Sequence, residues 1–97
     1  METRLLGMTG EDLSVIGFGA IVFVNEGPDF ARDTVARAID AGVNYFDMGP
    51  YGRGEAEEIG GPAISPYRDR VFLAEKTRMR TKEEAAVALR RSLKKMH

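Results

Sequence analysis

Two stretches of the chain carry side chains suited to holding a charge or moving a proton: "VNYFDMGPYGRGEAEE" at residues 43–58 and "RVFLAEKT" at residues 70–77. The first ends an apolar, aromatic run on one carboxylate, Asp47, and places Tyr51 four residues later. The second carries Lys76 near the end of another apolar run. A carboxylate and an ammonium can pair, and an ammonium beside a phenol of ordinary pKa about 10 favours the ionised phenol. That combination suits acid–base chemistry. Each residue alone also has a structural reading. Asp47, followed by Gly49 and Pro50, could cap a loop; Lys76 could snorkel along the surface, and Tyr51 could be a half-buried loop aromatic. The chemical reading needs a fold that brings all three to one place.

The patterning gives the elements. "TRLL" and "LSVIGFG" flank the turn-rich "GMTGED", which predicts a β-hairpin leading into a more buried strand at about residues 15–19. Residues 30–41 read as a helix with Val35, Ala38, Ile39 and Gly42 on one stripe and an Asp33–Arg37 pair of opposite charge. Asp29 is the candidate N-cap of that helix and Gly42 its stop. "VNYFD" reads as a short buried strand, "GEAEEIGGPAI" as a short helix disturbed by Gly60, Gly61 and Pro62, and "RVFLAEKT" as a third strand. Thr81 and Glu84 form a capping-box pattern opening a last helix, with Ala86, Leu89, Leu93 and Met96 as its apolar stripe. The order is hairpin, then β-α-β-α-β-α. Such alternation predicts an α/β fold with parallel strands and right-handed crossovers. Three parallel strands make a poor stopping point, because such sheets expect neighbours at both edges and cover on both faces.

Composition narrows the function classes. With 97 residues, 43% hydrophobic and 30% charged, the chain can bury one core, and residues 1–97 are expected to form one incomplete domain. Its 14 basic and 15 acidic residues are interspersed and give a net charge of −1, which disfavours nucleic acid and anionic membranes as partners. There is no cysteine and one histidine, so no thiolate or histidine metal cluster is expected. No signal-peptide pattern opens the chain, and the longest apolar stretch, around Ile16 to Val24, is far too short to span a bilayer. A cytoplasmic location is the expectation. "GFGAIV" starts like a dinucleotide-binding glycine fingerprint but lacks the third glycine and does not open a helix. "RRSLKK" is a basic end to a helix, where cations complement the macrodipole.

"LSVIGFGA", "AIDAGVNYFD", "YGRGEAEE", "YRDRVFLAEKT" and "RRSLKK", in that order and spacing, resemble the N-terminal part of the aldo-keto reductases. The resemblance implies a partial (β/α)8 TIM barrel: the N-terminal β-hairpin followed by about three β/α units. A complete barrel needs about 250 residues. It further implies reduction of a small carbonyl substrate with NADPH, with Tyr51 as proton donor, Lys76 tuning it and Asp47 holding Lys76. Gly19, Ala20 and Ile21 would pass the nicotinamide end of the cofactor, together with Asp47. Two departures stand out. "DMGPY" has three residues between Asp and Tyr where the family pattern usually has four, and Met48 and Gly49 replace small polar or alanine residues. The family's catalytic His lies on the next strand, past His97, which ends a helix and is not expected to act. The 97 residues alone are therefore expected to be inactive. The alternative is a non-catalytic binding module that self-associates through exposed strand edges.

Overall fold

The computed structural model describes residues 1–97. Strands β1 (Thr3–Leu5) and β2 (Asp12–Ser14) pair antiparallel, with Arg4 opposite Leu13. Gly7 and Gly10, at φ +53° and +83°, supply the left-handed backbone that turns the chain between them. Three further strands form a parallel sheet in the order β3 (Phe18–Gly19), β4 (Tyr45–Asp47), β5 (Phe72–Ala74). Their register sets Gly19, Asp47 and Ala74 on one level at the C-terminal ends.

The helices alternate with these strands. A 3₁₀ turn at Ala20–Phe23 precedes α1 (Pro28–Asp40), α2 (Glu55–Ile64) continues into a 3₁₀ turn at Ser65–Arg70, and α3 is Lys82–Met96. α2 packs between α1 and α3. Phe23, Val35, Phe46, Met48 and Ile64 are fully buried where the sheet, the first 3₁₀ turn and two helices meet. Phe18 stacks at a tilt on both Phe23 and Phe46, with ring centroids 5.3 and 5.2 Å apart. No helix is long and apolar enough to cross a membrane.

Several local expectations are corrected. The strand expected over 15–19 is confined to Phe18–Gly19, and Val15 and Ile16 are 47% and 60% exposed. The Ser14 hydroxyl donates forward to the Ile16 carbonyl (2.7 Å), a local bond within this segment. Asp29 does not cap α1. Pro28 takes the first helical position after Gly27, and Asp29 pairs with Arg32 instead. Gly42 does stop α1, at φ +92°. α2 runs unbroken through Gly60 and Gly61, because these glycines are contact points rather than breakers. A methyl on Gly60 would lie 2.9 Å from the Met48 side chain and from the Phe23 ring, and one on Gly61 would overlap the Lys95 carbonyl oxygen. That close approach also explains α3. Thr81 accepts from the Glu84 N–H (3.2 Å), as the capping pattern requires. The buried stripe is Ala88, Ser92 and Met96, while Leu89 and Leu93 are 48% and 56% exposed. The small Ala88 and Ser92 let the helices approach closely, and Leu89 and Leu93 are turned away.

Candidate active site

β4 holds one end of the site through its alternation. Phe46 points into the core with no exposed surface, so its neighbours Tyr45 and Asp47 project the other way, and Asp47 closes the strand at its open end. The backbone then turns through Met48, Gly49 and Pro50. Met48 is fully buried and anchors the turn in the core. Gly49 leaves room where a methyl would come within 3.1 Å of the Lys76 side chain and 3.3 Å of the Tyr51 ring. The two departures noted in the sequence thus have one physical account: a buried side chain pins the shortened loop and a missing one lets its contents close up.

Lys76 arrives from the other side, two residues past β5. Its ammonium donates to the Asp47 carboxylate, to the Met48 carbonyl oxygen and to the Tyr51 hydroxyl (2.9 Å). It also sits 4.9 Å from the centroid of the Tyr51 ring. The side chains of Lys76 and Asp47 remain 44% and 40% exposed, so the cluster is open to a ligand. Partial burial works against the Lys76 ammonium, but the hydrogen bonds and charges of Asp47 and Tyr51 outweigh it and raise its pKa above the ordinary 10.5. The lysine is therefore a fixed cation across the working pH range.

The expected cofactor residues divide. Gly19 lies level with Asp47 in the register, and no atom comes within 4 Å of where its side chain would begin. Ile21 is 60% exposed beyond it. Gly19, Ile21 and the half-exposed Asp47 are thus accessible at the C-terminal end of the sheet. Ala20 is fully buried beneath and offers no accessible surface. His97 ends α3 and makes no contact with the cluster.

Residues that the sequence reading did not single out stand just behind the site. Glu57, 1% exposed, accepts from the Ser92 hydroxyl (2.6 Å) and lies 3.7 Å from the Lys95 ammonium, which also reaches Glu58 at 3.3 Å. Glu75 accepts from the Lys76 N–H (3.0 Å) with one oxygen, and its other oxygen is buried with no partner. Burial, with the nearby Glu57 charge adding to it, raises the Glu75 pKa above its ordinary 4.5 against the pull of Lys76. Ser92, spaced with Ala85 and Ala88 on a stripe of small residues, was the available signal for the buried pair.

Polar groups gathered at the C-terminal ends of adjacent parallel strands, with helices alternating along the chain, are the layout of a (β/α) barrel. The chain belongs to the aldo/keto reductase family, whose model matches residues 15–97. This is a family of oxidoreductases that generally uses nicotinamide cofactors. Among its relatives in Bacillus subtilis are the uncharacterized oxidoreductase YqkF, 38% identical over 78% of this chain and 25% of that protein, and the aldo-keto reductase YhdN, 36% identical over 79% and 26%. The chain thus spans about a quarter of the length of these relatives. The holo form of the aldo-keto reductase AKR11C1 from Bacillus halodurans superposes with a TM-score of 0.85 at 25% identity, over 99% of this chain and 36% of that one. The fold is a partial (β/α)8 barrel, the hairpin and the first three β/α units.

Proposed function

We propose that residues 1–97 are one incomplete domain, the N-terminal portion of an NADPH-dependent carbonyl reductase. The observation that carries this is the single ammonium shared between Asp47 and the Tyr51 hydroxyl. Gly19, Ile21 and Asp47 would hold the nicotinamide end of the cofactor, which supplies a hydride when bound. Tyr51 donates its proton to the carbonyl oxygen, and the Lys76 ammonium stabilises the phenolate left behind. Asp47 keeps that ammonium in place and balances its charge. Alone, the 97 residues are inactive, because three strands enclose no barrel mouth that excludes water.

The test joins this chain to the remaining three quarters of the Bacillus subtilis relative YhdN and follows NADPH oxidation with a simple aldehyde. The joined barrel should turn over, and Tyr51→Phe should reduce kcat by about 10²-fold or more. Activity that survives Tyr51→Phe would remove the tyrosine from its role. Turnover by the isolated 97 residues would remove the claim of inactivity.

A second reading, self-association, draws on the exposed Leu89, Leu93 and Val87 of α3 and on the unpaired outer edges of β3 and β5. Sedimentation of the isolated chain decides it: a discrete dimer supports assembly, and a monomer removes it.

A further inference from the structure

Beside the cluster lies a second cavity, of about 300 Å³, between the turn that opens α2, the segment after β5 and the flank of α3. Its walls carry Arg53, Lys76, Arg78, Arg91 and Lys95 against one carboxylate, Glu57. The charges there are not equivalent. Lys95 is committed to Glu57 and Glu58, and Lys76 to Asp47. Arg53, Arg78 and Arg91 have no carboxylate within 4 Å, in contrast to Arg4 with Glu2 and Arg32 with Asp29. Glu57 accepts from Ser92 and faces Lys95, and it forms no ion pair with any of the three guanidiniums. Three exposed arginines therefore line one concave space without a carboxylate partner. Like charges gathered this way repel one another unless an anion joins them.

We propose that this cavity binds the phosphate group of a phosphorylated carbonyl substrate. Guanidinium forks match phosphate oxygens bidentately, and a dianion satisfies several at once where a carboxylate would satisfy fewer. Lys76 lines the cavity and also donates to Tyr51, so an anion held there lies one side chain from the phenol. This rests on the reductase reading above and adds its substrate class: a short aldehyde or ketone bearing a phosphate monoester. The cavity shares no lining residue with Gly19 or Ile21, and its phosphate is assigned to the substrate rather than to the cofactor.

The experiment titrates inorganic phosphate into the full 97-residue chain at low ionic strength and follows backbone and arginine side-chain N–H resonances. Saturable shifts should be confined to residues 52–54, 76–79 and 88–95. The Arg78→Gln, Arg91→Gln double variant should weaken binding about tenfold or more, while the exposed control Arg37→Gln leaves it unchanged. Acetate should bind more weakly than phosphate, and glycolaldehyde phosphate should compete where glycolaldehyde does not. Shifts spread over every basic residue, or insensitive to the double variant, overturn the site. Acetate binding as tightly overturns the phosphate assignment, and displacement of phosphate by NADPH moves the site to the cofactor. Because the readout is binding, its failure in a chain whose joined barrel still turns over sinks the anion site alone. Binding without turnover in that barrel sinks the reductase reading instead.

Discussion

The two ends of β4 do opposite jobs. At its start, the Asn44 side chain accepts from the Ser14 N–H (2.7 Å) and donates to the Asp12 carbonyl (2.9 Å), and the Asn44 backbone N–H donates to the Ser14 hydroxyl oxygen (3.1 Å). These contacts tie the hairpin to the sheet across 30 residues of chain, and they use neutral groups whose capacity is spent on one another. At its end, Asp47, Tyr51 and Lys76 bridge a similar separation with charges, half open to solvent. Both ends are long-range polar contacts, but only one has capacity left over. A saturated network specifies structure, whereas one with exposed, unspent donors and acceptors is available to a ligand.

Breaking each end in turn should separate activity from stability. The largest effect is expected from Tyr51→Phe in the joined barrel, a loss of about 10²-fold or more in kcat with the urea midpoint unchanged. Asn44→Ala should do the reverse. It strands the N–H of the buried Ser14 and should cost about 1–2 kcal/mol in urea denaturation, with kcat preserved. Equal loss of activity in both variants would erase the distinction.

The smaller predictions use pH. Lys76 has a raised folded pKa, so its stabilising pairing is complete below 10.5 and is lost as pH rises through the higher folded value. Lys76→Met should flatten stability above pH 10.5 and change it by less than about 1 kcal/mol at neutral pH, because the pair is partly exposed. Glu75 also has a raised pKa. It favours the folded state below 4.5 and loses that advantage as pH rises through its folded value, so at neutral pH the buried charge is a liability. Glu75→Gln should therefore raise the urea midpoint slightly at pH 7 and leave it unchanged at pH 4. A gain that persists at pH 4 would trace the effect to packing.

Much of this contrast was legible in the amino acids. The change from two-residue to helical periodicity gave the element order, Asp47 stood out as a carboxylate closing an apolar run, and Tyr51 and Lys76 joined it through the resemblance to the aldo-keto reductases. What escaped notice was set by tertiary packing. Leu89 and Leu93 lie on the more hydrophobic side of α3, yet they are exposed, and the side carrying Ala88, Ser92 and Met96 is buried beside the close contact at Gly61. Glu57 was one of three acidic residues opening α2, and only the facing Ser92 and Lys95 mark it as the buried one. Asn44 read as part of a strand and not as a clamp, because its partners lie 30 residues away.

The approach of Gly61 to the Lys95 carbonyl has a longer reach than packing. It gauges the separation of α2 and α3 with bare main chain, the least adjustable part of a protein, and so sets the width of the arginine-walled cleft independently of what lines it. Side chains on those walls can then be exchanged without the frame shifting.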